Sequence, residues 1–529
     1  MRWGRKKRAS GWRHSLVADK VSVMICANPW PRVFILLLAA KLVLLVASSA
    51  WAQAPTPGTP APGNADSASQ AAPDHSPQTK KSDAATPQEQ KISPKEAEEL
   101  FHDVDRILEF ASKDSGLPIK QEVKRRLTSR DEVVAYLEKT MAEDKDAQRL
   151  RRSELVLKKF GLLPRDFDLQ TFLVALLREQ VAGYYDPKTA TVNLLDWIDI
   201  EQQRPVLAHE LTHALQDQSF GLEKWLKAGS TDLEEKKQPT AADIENDEIS
   251  EARQAVVEGQ AMVVLVDYML APTGQSLLAS PQIAEALKQG MLVGTADSIE
   301  FKNAPIFLKE ELTFPYRYGL DFETELLRAR GKDKAFAETL SNPPRTTRQI
   351  MEPKTYLAGE TLEPMRLPDL QRDFKNYERF DVGAIGEFDV AILVDQYAGT
   401  EAAHQIYPQW RGGYYYAAKP KGDPAAPLAL LYVSRWASQE KAADFAAIYA
   451  RSLTKRYKHV REVSPGGKDM PEILESILSL TGTHTWLTEE GPVVIAVDGD
   501  RVLITESLDQ PTTEQLEQEL FGAFMASVK

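Results

Sequence analysis

His209, Glu210 and His213 stand in the stretch RPVLAHELTHALQDQSF, residues 204–220, in the order H-E-x-x-H. On a helix, residues four apart share a face, so two imidazole nitrogens can meet one ion without distorting the backbone. Glu210 is rotated off that face and can reach a water on the ion as general base. The chemistry would be metal-assisted hydrolysis, and it needs a third ligand. Past the first fifty-odd residues the chain has seven histidines, at 75, 102, 209, 213, 404, 459 and 484. None lies between 214 and 403, so a carboxylate is expected. Glu258, in the apolar run VVEGQAMVV, is the candidate, because a lone carboxylate there is hard to explain as surface. Glu251, two turns earlier on the same face, is the alternative. Glu248 and Glu251 lie where the helix is more polar and otherwise read as a solvated face. Ala255, Gly259 and Met262 around Glu258 would let the two helices approach closely. The competing explanation is two histidines sharing a helix by chance, with no metal.

The elements around these residues are legible too. Pro205 suits the first position of the H-E-x-x-H helix, Val206, Leu207, Leu211, Ala214 and Leu215 give it an apolar side, and Gly221 ends it. The second helix is predicted from Asp247 to Leu270, stopped by Pro272. Between them, residues 222–246 are charged and weakly periodic, and read as a surface excursion. Upstream, EQVAGYYDPKTATVNLLD (179–196) gives a turn at Asp186–Thr189 and a strand over Thr191–Leu195. That strand is expected to be an edge that could pair with an extended peptide, with an ordinary hairpin as the alternative. Ser93, Pro94 and Glu96 open a capped helix that Gly116 stops, and more helix follows to about Gln180, with a β-like stretch near Ile119. From about Phe380 the runs VAILVDQY, GGYYYAA, LALLYVSRW and GPVVIAVDGDRVLITES read as strands, with a hairpin at Asp498-Gly499. Helices over SQEKAADFAAIYARSLTKRY and TEQLEQELFGAFMAS interleave with them. The stretch PPRTTRQIMEPKTYLAGETLEPMRLPD reads as a connection.

The 529 residues suffice for roughly three domains. Residues 1–52 hold nine Lys/Arg and one Asp, a net of +8, and an apolar run from Val33 to Ala50 followed by Ala50-Trp51-Ala52. That order of basic, apolar and small residues is the layout of an export signal cleaved after Ala52. An uncleaved anchor is the alternative, with Lys41 costly at its centre. Taking +8 from the whole chain's −13 leaves the remainder at −21. So acidic a surface excludes nucleic acid as a partner, and a membrane is a partner only if the first segment stays attached. The one cysteine, Cys26, lies in that segment, so the rest has neither disulfide nor thiolate ligand. Residues 53–92 are rich in Pro, Ala and Ser and read as a disordered tether.

With those residues in view, the chain resembles the gluzincin branch of zinc metallopeptidases, in which H-E-x-x-H is completed by a Glu from the next helix. More narrowly, it is similar to a group of exported bacterial proteins sharing EQVAGYYDPKT, LAHELTHALQDQ, VVEGQA, FPYRYGLDF and PPRTTRQIMEP, over roughly residues 95–360. Gln216 and Ser219 stand where a metzincin would need Gly and His. The resemblance implies one zinc ion on His209, His213 and Glu258, with Glu210 as catalytic base and a peptide or protein as substrate. It also departs from the group, with Met351-Glu352-Pro353 where a histidine is expected. Tyr316 and Tyr318 of FPYRYGLDF, and Tyr185, are candidate donors to an oxyanion. The expected fold is α+β: a mainly helical, zincin-like catalytic domain with a small sheet over 93–360, then a separate α+β domain over 375–529. The expected function is an exported zinc peptidase, periplasmic or secreted. A non-catalytic zincin-fold binding or envelope-assembly protein with a structural zinc is the alternative.

Overall fold

The computed structural model describes residues 91–135, 144–180, 183–227, 238–294, 298–463 and 477–522. The export signal, the anchor and all but the last two residues of the tether lie outside the described residues. The cap expected at Ser93 is present. Ser93 and Glu96 bond reciprocally at the start of α1 (Pro94–Ser115), and Gly116, at φ 72°, closes it by donating to Ser112 O.

β1 (Lys124–Thr128), β2 (Tyr184–Asp186) and β3 (Thr191–Leu195) form a sheet in the order β1-β3-β2. β1 runs parallel to β3 and β2 antiparallel to it. Thr191–Leu195 is therefore the central strand, which corrects the expectation of an edge. Val192, Leu194 and Leu195 are all buried, and a strand apolar on both faces belongs in the middle of a sheet. α2 (Asp144–Phe160) and the helix Leu169–Gln180 lie between β1 and β2 in the chain.

The H-E-x-x-H helix, α3 (Ile200–Phe220), begins five residues before Pro205, under a cap from Asp199 to Glu201 N–H. Pro205 sits inside the helix, near enough to its start that one missing donor is tolerated. Gly221 ends it at φ 65°. α4 (Ala241–Leu270) also starts early, because Thr240 and Asp243 form a capping box ahead of Asp247. Much of the supposed excursion is thus ordered. Leu222–Lys227 is a short helix whose Leu222 and Leu226 are buried against Val257, and residues 228–237 lie outside the described residues. α4 is long and apolar enough to cross a bilayer, yet 72% of its most apolar window is buried inside the protein, as a core helix requires.

α5 (Ile306–Arg330) crosses α4 at Gly259 and Gly319. A Cβ on Gly259 would lie 2.3 Å from Gly319 O, and one on Gly319 2.2 Å from Ala255 O. The small residue next to Glu258, Gly259, thus admits α5 to close approach.

The C-terminal part holds a seven-stranded antiparallel sheet in the order β4-β5-β6-β10-β9-β8-β7. Its strands are β4 (Tyr377–Ala384), β5 (Trp410–Pro420), β6 (Ala429–Trp436), β7 (Val460–Glu462), β8 (Gly482–Thr488), β9 (Gly491–Asp498) and β10 (Arg501–Glu506). The predicted hairpin is present, with Asp498 opposite Arg501 and Gly499 at φ 58° in the turn. VAILVDQY is not a strand. It belongs to helix α6 (Glu387–Ala398), capped by Asp389 bonding Gly386 N–H and ended by Gly399. A short, continuously apolar run suits a buried helix as well as a strand. The helices α7 (Gln439–Arg456) and Gln510–Phe521 complete a mixed α+β architecture.

One continuous cluster of buried apolar residues runs from Leu100 to Ile504. Polar contacts cross it. Lys159 of α2 meets Glu490 at 2.8 Å, and Arg348, 5% exposed, pairs with Glu387 of α6 at 2.8 Å. Arg348 lies in the stretch read as a connection, which contains the helices Thr347–Met351 and Pro353–Leu357 and is tied down on both sides.

Candidate metal centre

α3 and α4 run side by side, and each presents one polar strip in an otherwise apolar contact. His209 and His213 come from α3 and Glu258 from α4. Their ligand atoms lie within 4.8 Å of one another, and all three side chains are buried. His209 Nε2 is 3.1 Å from His213 Nε2 and 3.1 Å from Glu258 Oε2, and His213 Nε2 is 3.5 Å from that same oxygen. Bonds of 2.0–2.1 Å at tetrahedral angles would separate ligand atoms by about 3.3 Å. The three atoms thus form one face of a tetrahedron of the right size. Two imidazoles and a carboxylate are also a donor set suited to a divalent first-row metal.

The groups behind the ligands fit the same reading. Gln216 Oε1 lies 2.9 Å from His213 Nδ1, so that nitrogen carries a hydrogen and Nε2 is the one left to face an ion. Gln254 donates to Glu258 Oε1 at 2.8 Å, leaving Oε2 for the centre. Gln216 also donates to Gln260 Oε1 at 3.0 Å, and Gln260 donates to the fully buried Glu323 of α5 at 3.3 Å. Burial raises Glu323 well above the usual carboxylate range, against the Gln260 hydrogen bond and the nearby Arg330. These four residues were missed from sequence. Their signal is weak but real: Gln216 follows His213 by three and Gln254 precedes Glu258 by four, each one turn along its own helix.

Electrostatically the centre is a coupled set. Burial works against charge on Glu258, but His213 and His209 outweigh it and hold its carboxyl at about 2. Burial lowers His209, whereas on His213 the opposing pull of Glu258 and Glu210 wins and raises it to about 9. The metal-free centre therefore keeps one proton on His213, facing Glu258, in the place a cation would take. Burial pushes Glu210 up to about 8 against the pull of His213 and the Tyr185 N–H. Glu210 Oε2 accepts that N–H at 2.9 Å, while its Oε1 is buried with no hydrogen-bond partner.

The remaining candidates separate by position. Tyr316 of α5 is fully buried, its ring centroid 6.3 Å from that of His209. Burial, Glu258 and Glu210 raise its hydroxyl well above the usual phenol range, and it is hydrogen-bonded to Glu258. Tyr185 reaches the site through its backbone, and its hydroxyl donates to Asp217 at 2.9 Å. Tyr318 turns away, its ring against Phe314 and Phe388. Glu248 is not solvated: at 5% exposure it accepts from the Thr347 N–H and hydroxyl at 2.8 and 2.9 Å. Glu251 lines a separate cavity with Glu248, Glu311 and Asp389, so Glu258 is the acid of α4 that meets the histidines. Glu352, at the position where the resemblance leads one to expect a histidine, lies 3.7 Å from Arg348. No protein-family model, curated protein or solved structure matches this chain.

Proposed function

We propose that the chain is an exported zinc-dependent peptidase with a zincin-like catalytic unit, hydrolysing peptide bonds with Glu210 as general base. The observation that carries this reading is the unpartnered Glu210 Oε1, buried beside three converging ligands. Leaving a buried carboxylate oxygen without a donor is costly, and a metal that served only to staple α3 to α4 would have no use for it. His209, His213 and Glu258 would hold the ion. When bound, zinc supplies a Lewis acid that polarises a carbonyl and makes water acidic enough to react near neutral pH. Glu210 takes the proton from the attacking water and delivers it to the departing amine nitrogen. The Tyr185 N–H keeps the second oxygen of Glu210 fixed during both transfers. Tyr316, beside Glu258, would donate to the negative charge that develops on the carbonyl oxygen.

A second reading has its own observation. His209, Glu210 and His213 are each 1% exposed and Glu258 is 0% exposed, so this conformation admits no peptide to them. A structural metal would be enclosed in this way. Both readings require one metal per chain; they part on Glu210. In the peptidase, Glu210→Gln keeps the metal and abolishes hydrolysis of a peptide library, because the near-isosteric change removes only the base. Metal-loaded parent protein that cleaves nothing, or a Glu210→Gln variant as active as the parent, would favour the structural role.

A further inference from the structure

Well away from the metal centre, a cavity of about 140 Å³ opens between the start of α4, the segment 360–367 and the first residues of β5. It has room for on the order of ten waters. The nearest α4 residue on its wall, Glu248, is ten residues from Glu258, about 15 Å along the helix axis. Ile244, Leu362, Met365, Leu367 and Tyr414 make much of the wall apolar.

The charges on the wall are satisfied with one exception. Glu245 pairs with Arg345 at 3.2 Å, Glu360 with Arg348 at 2.9 Å and Glu363 with Arg435 at 3.4 Å, while Glu248 is held by Thr347. Arg411 forms no ion pair among the described residues. Its guanidinium donates to two backbone carbonyls, Pro408 O at 2.9 Å and Trp410 O at 2.6 Å. Three of its five donors therefore remain for something else. β5 bulges between Trp410 and Gly412, where the pairing with β6 slips, and a bulge re-aims the residue it contains. Gly412, at φ 147°, takes a backbone conformation that suits glycine, and a Cβ there would lie 2.8 Å from Met365 Sδ, so the methionine would have to shift. Burial and the nearby Arg348 pull Arg411 below its ordinary value, outweighing the opposing pull of Glu360, Glu387 and Glu352.

We propose that this cavity binds a small carboxylic acid with a compact apolar body, its carboxylate on Arg411 and its apolar part against Leu362 and Met365. The C-terminal residue of a peptide and a free short-chain acid both present that chemistry. An arginine fork donates two parallel hydrogen bonds to a carboxylate, which gives the site its selectivity. The proposal is independent of the metal centre, so chelation leaves the binding unchanged.

The test is ligand-observed NMR on the full chain with N-acetyl-leucine, N-acetyl-leucinamide and isocaproate. N-acetyl-leucine binds at least about tenfold more tightly than its amide, the loss expected when a charged hydrogen-bonding partner is removed. Tighter binding of N-acetyl-leucine than of isocaproate assigns the site to peptide C-termini, and the reverse order to free acids. Arg411→Gln erases the preference for acid over amide, whereas Arg345→Gln, at an exposed pair, changes it by no more than about twofold. Should Arg411→Gln fail to fold, Leu362→Trp fills the cavity from a half-exposed loop with Arg411 intact, and must abolish binding. Equal affinity for acid and amide, no binding of the acids, a preference that survives Arg411→Gln, or full binding by Leu362→Trp overturns the proposal.

Discussion

His213 is held on both sides of its ring, with Nε2 toward His209 and Glu258 and Nδ1 against Gln216. That arrangement ranks the side chains of the centre by what each loss would do. Glu258→Gln removes one of the three candidate ligand charges, so a bound metal should leave on mild dialysis, with affinity down by several orders of magnitude. Gln216→Leu keeps every ligand but frees the imidazole to turn or change tautomer, which typically costs about 10–100-fold in affinity. Glu251→Gln, whose side chain lines a different cavity, should retain the metal fully. Competition with a chromogenic chelator measures all three, and equal affinities for the Gln216→Leu variant and the parent would remove Gln216 from the centre. Glu258 was legible in the sequence because an isolated carboxylate in an apolar run demands a partner. Gln216 was not, because an uncharged amide on a helix is unremarkable until the ring it faces is known.

At the scale of elements, the centre depends on a helix that supplies no ligand. α5 brings Tyr316 against Glu258 because Gly259 and Gly319 let it meet α4 backbone to backbone. A methyl on Gly319 would sit 2.2 Å from Ala255 O, a contact that can be relieved only by moving a whole helix. Gly319→Ala should therefore cost about 1–3 kcal/mol in a urea titration and, on the proposed function, reduce hydrolysis more than metal content. Parent-like stability would mean that the helices are not in contact there. The sequence carried the glycines but not their partner, since a small residue says that something comes close without saying what. Strand Thr191–Leu195 shows the same limit: its pattern identified a strand, but its central place depends on β1, more than sixty residues earlier. Caps are local chemistry, so Ser93, Gly116 and Gly221 could be read directly, whereas VAILVDQY, with no period to decide between helix and strand, could not.

For the whole molecule, the telling feature is where unlike parts of the chain put like charges together. Between α2, α4, α5, β4 and α6 lies a cavity of about 90 Å³ whose wall carries Asp247, Glu248, Glu251, Glu311, Asp381 and Asp389 and no Lys, Arg or His. Its other polar groups are Ser153 and Tyr415, whose hydroxyl donates to Asp381 at 2.9 Å. Carboxylates so arranged cannot all ionise. Burial and then Asp389 push Glu248 up to about 8, against the hydrogen bonds from Thr347, and burial raises Asp389 to about 6. Glu251 is driven well above its ordinary value by burial, Glu311 and Asp389. An acid whose folded value lies above its unfolded one binds more protons folded than unfolded, so stability must fall as pH rises between the two. For Glu248 that window runs from 4.5 to about 8. Glu248→Gln keeps an acceptor for Thr347 and removes the ionisation. It should match the parent in urea near pH 5 and exceed it near pH 8 by on the order of 1–3 kcal/mol, the neighbouring acids sharing the rest. The sign separates this from an ordinary lost contact, which would weaken the variant at both pH values. A variant that trails the parent by the same margin at pH 5 and pH 8 would show that Glu248 is already ionised in the folded protein, and that the cavity between α4, β4 and α6 is charged rather than protonated.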